Sequence, residues 1–303
     1  MNYVCKICKQ QIENNGHFWE THRQKISDYF NQYDSRKTVD GKQVIFKESI
    51  EKYFETDFNS IAERNTWAKQ NIELAKEYFI NLLIKRKEKK SLIYAPGEAL
   101  LRLSDLPKIE WFNKNFDRDY NQICKDLGFK IKYTNLNVNV DLTSKILVQV
   151  DTREQNSLIF GRHIEIISKK LDYGDIALID NTKIAVERKS LNDLCGTIGT
   201  NGYERFKREL NRAKKDKGYL VILCESSLND FKSIEFLPQT KRVKASYSWL
   251  AKRIRDLYLE FDNIQFVFCE GRKHAVKITE IILKLGKKIK KTDIQFLIDS
   301  KRI

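Results

Sequence analysis

The stretch LDYGDIALIDNTKIAVERKSLND, residues 171–193, decides the reading of this chain. Two short apolar runs, DIALI (175–179) and KIAV (183–186), flank a polar turn, the pattern of two neighbouring strands. The second run meets Glu187, Arg188 and Lys189 without a break. Strand side chains alternate between faces, so Glu187 and Lys189 share one face and Arg188 takes the other. A three-residue turn at 180–182 sets Asp175 opposite Glu187, whereas a two-residue turn sets Arg188 there. Gly174 allows the chain to bend sharply into the first strand.

Two acids from adjacent strand ends and a lysine beside them suit a divalent cation next to a phosphate. In that arrangement Asp175 and Glu187 hold Mg²⁺ or Mn²⁺, and Lys189 orients water and offsets developing charge. Upstream, ILVQVDTREQ (146–155) also turns charged only where its apolar run ends, at Asp151, Arg153 and Glu154. Open α/β sheets gather ligand groups at strand ends. Taken singly, these residues also suit a surface ion pair, a turn acid at Asp175 and a helix cap at Asp193. Their joint occurrence is what points to a site.

VDTRE (150–154), GD (174–175) and VERKSLND (186–193) together resemble the nuclease domain of the XPF family, the ERCC4-type domain, over roughly residues 146–285. The resemblance implies an α/β restriction-endonuclease-like fold, a mixed central sheet flanked by helices. It implies Asp175 and Glu187 as ligands of Mg²⁺ or Mn²⁺ and Lys189 as the catalytic lysine, with Asp151, Arg188 and Asp193 completing the catalytic set. Arg153, and Arg205 and Arg208 on the following helix, are then expected to face DNA phosphates. Hydrolysis by this fold leaves a 5′-phosphate. Eukaryotic relatives carry a tandem helix-hairpin-helix module after the nuclease domain and act as dimers. The residues after 285 are too few for that module, so another part of the chain is expected to hold DNA, and a homodimer stays open.

Composition agrees with a nucleic-acid partner. Lys and Arg number 56 against 41 Asp and Glu, a net charge of +15 spread along the chain, which favours polyanions. No apolar run approaches the ~18 residues of a membrane span, and no cleavable signal pattern opens the chain. The expectation is a soluble protein of the cytoplasm in a bacterial or phage-infected cell, without a membrane partner. The six cysteines are too scattered for a disulfide framework.

Two of them sit at the start. Cys5-x₂-Cys8 followed by His17-x₄-His22 has the spacing of a tetrahedral zinc site, with Phe18 and Trp19 as a minimal core. The segment resembles short zinc fingers of phage endonucleases, which implies a structural Zn²⁺ within residues 1–35. Residues 36–90 read as a helical basic connector ending in KRKEKK. Residues 91–133 read as three short helices, started by Pro96, Pro107 and Asp119 and stopped at Gly128. They resemble the helical repeat found beside homing endonucleases, and a third helix in the major groove would bring Asn121, Gln122 and Lys125 to bases or phosphates. A spacer that touches nothing is the competing reading. A polar linker at 134–145 leads to the nuclease domain at 146–285, and a basic tail closes the chain at 286–303.

The expected function is a metal-dependent DNA endonuclease, positioned by its N-terminal modules, phage-encoded and site-specific in the homing manner. One alternative is a structure-specific nuclease for branched DNA in recombination or repair. Another is a non-catalytic DNA-binding protein that keeps the nuclease fold.

Overall fold

The computed structural model describes residues 61–134, 138–199, 202–234 and 245–303, and the backbone of four short N-terminal strands. The chain forms two compact units, Met1–Tyr78 and Phe79–Ile303.

In the first unit, β1 (Tyr3–Cys5), β2 (Gln11–Ile12), β3 (Arg36–Val39) and β4 (Lys42–Ile45) form a sheet in the order β2-β1-β4-β3. β3 and β4 pair antiparallel, so the stretch expected as a helical connector opens on two strands. The sequence between them, Asp40-Gly41, is a pair favoured in tight hairpins. Helices α1 (Ile61–Gln70) and α2 (Ile72–Lys90) follow. Asn71 separates them; its side-chain amide donates to the Trp67 carbonyl at 3.0 Å, sharing that acceptor with its own backbone amide at 2.9 Å. Cys8, His17 and His22 of the expected zinc site lie outside the described residues, and Cys5 contributes only its backbone in β1.

The second unit begins at Phe79, within α2, and continues with the three short helices α3 (Glu98–Arg102), α4 (Ile109–Asn115) and α5 (Tyr120–Asp126). Their punctuation is the expected one. Asp119 caps α5 by accepting the Gln122 amide at 2.8 Å, and Gly128 ends it at φ +75°. Leu101, Ile109, Phe112, Tyr120, Ile123 and Phe129 are buried in this three-helix stretch, while Leu103 joins the core of the sheet.

The remaining strands are β5 (Ile146–Val150), β6 (Ile164–Ser168), β7 (Ile176–Leu178), β8 (Asn181–Lys189), β9 (Tyr219–Cys224) and β10 (Ile264–Phe268). They form one mixed sheet in the order β10-β9-β8-β7-β5-β6. β8, β9 and β10 run parallel, β7 is antiparallel to both its neighbours, and β6 is parallel to β5. Helices α6 (Leu191–Gly199), α7 (Gly202–Lys215), α8 (Leu228–Lys232), α9 (Tyr247–Glu260) and α10 (Gly271–Leu285) connect and flank it. Alternation divides the core. Ala185, Leu220, Ile222, Cys224, Ile264, Phe266 and Phe268 join Leu194, Ile198, Phe206, Leu210, Leu250 and Ile254 from α6, α7 and α9, while α10 packs on the opposite face of β8 and β9.

Residues 286–303, expected as a basic tail, fold back as a 3₁₀ turn (Gly286–Lys291) and α11 (Ile294–Asp299) and bury Ile289, Ile294, Phe296 and Leu297. This segment, Tyr258 of α9 and Lys132 after the three short helices cover the β10 edge. The Phe266 amide donates to the Tyr258 hydroxyl, the Phe268 amide to Gln295, and Lys132 reaches the Ile264 carbonyl. A sheet edge closed by side chains offers nothing to another strand.

Candidate active site

The β7–β8 register decides whether the acids meet. Ile176 lies opposite Val186 and Ala177 opposite Ala185, the register that brings Asp175 level with Glu187. The turn itself differs from the expectation. Leu178 pairs with Asn181, leaving the two residues Ile179 and Asp180 as the loop, and a bulge beside Ala177 and Leu178 restores the register. The bulge does what a longer turn was expected to do.

Asp175 lies just before β7. Its amide donates to the Val186 carbonyl at 2.9 Å, and its own carbonyl accepts from the Asp151 amide at 2.8 Å. Its Oδ2 accepts the Arg188 amide at 2.8 Å. Glu187 is 7% exposed, and its Oε1 accepts from Lys189 Nζ at 2.6 Å. These two side chains therefore share a face, and the Lys189 ammonium also lies 5.8 Å above the Phe206 ring of α7. Among the described residues, Oδ1 of Asp175 and Oε2 of Glu187 have no hydrogen-bond partner.

The electrostatics follow from that burial. Desolvation pushes the Asp175 carboxyl up to about 6, with Glu154 and Glu209 adding to it and the Arg188 amide opposing. Desolvation likewise raises Glu187 to about 8, reinforced by the charges of Asp175 and Glu209 and opposed by Lys189. Burial disfavours the Lys189 charge, but Glu187 and Asp175 outweigh it and raise its pKa. Two desolvated acids that repel each other, each with an open oxygen, suit a divalent cation that keeps several waters. No group of three or more His, Cys, Asp or Glu side chains among the described residues is placed to hold a metal alone. Water and a substrate phosphate would have to complete the coordination.

The other expected residues take different places. Asp151 is saturated internally: Arg153 grips both its oxygens at 2.7 and 2.9 Å, and Oδ2 accepts the Leu171 amide at 2.6 Å. The Arg153 grip holds its pKa down to about 2. Arg188 points to the opposite face, where it pairs with Glu154 at 2.9 Å and Glu225 at 3.2 Å. Its Nε is buried without a partner. Asp193 exchanges hydrogen bonds with Ser190 at the start of α6 and is exposed. Arg205 and Arg208 are exposed on α7. Within α5, Asn121 donates to the Tyr133 carbonyl and Gln122 to Asp126, while Lys125 is exposed.

Three charged residues at the site were absent from the sequence reading. Glu225 directly follows β9 and bridges Arg188 to Arg272 of α10, whose guanidinium also donates to the carbonyls of Asn156 and Ser157 at 2.6 Å. This chain of charges ties the 151–157 loop to the strand ends. Glu225 follows an apolar run as Glu187 does, so it carried the same signal. Glu209 carried none, being one acid among many charges on an amphipathic helix.

Part of the chain resembles known proteins. Residues 150–282 match the family model of the ERCC4 domain. None of the curated proteins matches the chain. Among solved structures, XPF from Aeropyrum pernix is 20% identical, covering 51% of this chain and 68% of that one, with a TM-score of 0.37. XPF from Aeropyrum pernix in complex with DNA is 22% identical, covering 48% and 66%, with the same TM-score. The residues matched by that model, 150–282, hold Asp175, Glu187 and Lys189.

Proposed function

We propose that this protein is a Mg²⁺- or Mn²⁺-dependent endonuclease that hydrolyses DNA phosphodiester bonds at the Asp175–Glu187–Lys189 site. The observation that carries the reading is the pairing of two desolvated carboxylates, each with an open oxygen, beside a lysine on the same face. When bound, the cation supplies charge neutralisation at the scissile phosphate and a more acidic water. Asp175 and Glu187 would hold it through the oxygens their hydrogen bonds leave open. Lys189, anchored on Glu187, keeps a positive charge beside the phosphate and orients water toward it. The Arg188 amide fixes the Asp175 carboxylate, and the Glu154–Arg188–Glu225–Arg272 chain holds the strand ends at one level. Arg205 and Arg208 are offered as phosphate contacts, in keeping with their exposure on α7.

For the substrate we favour DNA shape over base sequence. Asn121 and Gln122 are held by internal hydrogen bonds, which leaves Lys125 alone of the three expected contacts on α5 unengaged. A lysine contacts phosphate without reading sequence. Zinc at Cys5, Cys8, His17 and His22 is proposed on spacing. The test is cleavage of linear duplexes, flaps and junctions with Mg²⁺, in wild type and Asp175→Ala. Mg²⁺-dependent cutting concentrated on branched substrates and lost in the variant is the expected result. Equal cutting by the variant, or none by the wild type on any substrate, overturns the reading.

A further inference from the structure

Glu209 sits midway along α7 and bonds to the main chain rather than to another side chain. Its Oε1 accepts the Gly174 amide at 3.0 Å. One turn further on, Arg212 donates from Nε to the Asp172 carbonyl at 3.0 Å. Helix α7 thus grips the segment leading into Asp175 at two points two residues apart. The segment needs holding. Gly174 has φ +71°, and a Cβ there would lie 2.9 Å from Ala185 Cβ and 3.0 Å from Leu220 Cδ1. The backbone passes between two core side chains in a conformation that side-chain-bearing residues rarely adopt. Asp175 is the next residue, so the tilt of the Gly174 peptide fixes where its carboxylate emerges. The negative charge of Glu209 also acts on Asp175, Glu187 and Lys189, which places it beside the site and not merely near the turn.

We infer that Glu209 is a positioning residue of this active site, holding the Asp175 carboxylate in register with Glu187 through the Gly174 amide. The inference rests on the nuclease reading above. Reach and hydrogen-bond acceptance are what the role requires, and charge is secondary. Two conservative variants of the full chain separate these. Glu209→Gln keeps the reach and an accepting oxygen but loses the charge. Glu209→Asp keeps the charge but is too short to meet Gly174.

The measurements are Mn²⁺ binding by calorimetry without DNA and single-turnover cleavage with Mg²⁺. Glu209→Asp is expected to bind Mn²⁺ roughly tenfold more weakly and to cut ~10–100-fold more slowly, as for other residues that orient metal ligands. Glu209→Gln is expected to stay close to wild type in both. Wild-type behaviour of Glu209→Asp overturns the inference, and so does a Glu209→Gln variant as impaired as Glu209→Asp. Failure of the underlying reading looks different: wild type itself then neither binds Mn²⁺ nor cuts.

Discussion

Two pairs of buried acids in the same unit have been put to different uses. At the sheet's strand ends, burial raises Asp175 to about 6 and Glu187 to about 8. At the joint between the three-helix unit and the C-terminal segment, burial raises Asp293 to about 6 and Glu98 to about 9. What separates them is which groups the acids hold. Asp293 accepts the Glu98 amide at 2.6 Å and the Phe296 amide at 3.1 Å, and Glu98 accepts the Ile109 amide at 2.8 Å. Those acids cap the starts of three helices and lock α3, α4 and α11 together. At the strand ends one oxygen of each acid stays open and a lysine stands alongside. A raised pKa marks desolvation in both places, and Glu98 Oε1 is also buried without a partner; what marks chemistry is the lysine paired with an acid on the same strand face.

The largest expected effect separates the pairs by activity. Asp175→Ala and Glu187→Ala should each reduce cleavage on the order of 10³-fold or more, because each removes one of the two carboxylates proposed to hold the metal. DNA affinity, measured by fluorescence anisotropy with Ca²⁺ in place of Mg²⁺, should change little. Glu98→Gln, at the other pair, should cut as wild type does. Comparable losses at both pairs would mean that the joint acids serve the chemistry or that the site acids serve the fold.

Asp293→Ala should show the opposite pattern. It leaves the Glu98 and Phe296 amides buried without their acceptor, at a cost of about 1–3 kcal/mol for each such group. Denaturant unfolding should show that loss, with cleavage per folded molecule unchanged. Stability equal to wild type would mean that water or a neighbour replaces the carboxylate and that the joint is not what holds the helical unit down.

How far the sequence could anticipate this contrast depends on whether partners are local. The strand-end acids were legible because charge appears abruptly after DIALI and KIAV runs, and alternation alone put Glu187 with Lys189. The caps at Asp119 and Gly128 were legible too, since their partners lie within one turn. The joint was not, because the Glu98 amide and its acceptor Asp293 are 195 residues apart. Strand β6, IEIIS, went unread because it is an edge strand whose residues after Ile164 are exposed on both faces, which removes the apolar alternation. The β7–β8 turn was misjudged because a bulge, invisible in composition, absorbs the register shift.

A cation should stabilise one pair and ignore the other. With free Mn²⁺ at a hundred times its Kd, binding to the native state adds about 2.7 kcal/mol to unfolding stability. Thermal melting should show a rise in Tm for wild type and for Glu98→Gln, and none for Glu187→Ala. A rise that survives in Glu187→Ala would place the cation elsewhere.

The smallest effect is a slope. Glu98 has a folded pKa of about 9, raised chiefly by burial, against an ordinary carboxyl value near 4.5. The folded state therefore holds a proton that the unfolded chain has released between those values. Stability from this group is fully present below the unfolded value, declines as pH rises, and is gone above about 9. Glu98→Gln presents a neutral amide at every pH and cannot titrate, so its unfolding free energy should fall less steeply from pH 5 to pH 9 than that of wild type. Because Glu187 remains in both proteins, the difference between the two slopes isolates Glu98. Parallel slopes would mean that Glu98 is ionised in the fold, and a charged acid there would need a cationic partner that the joint does not hydrogen-bond to it.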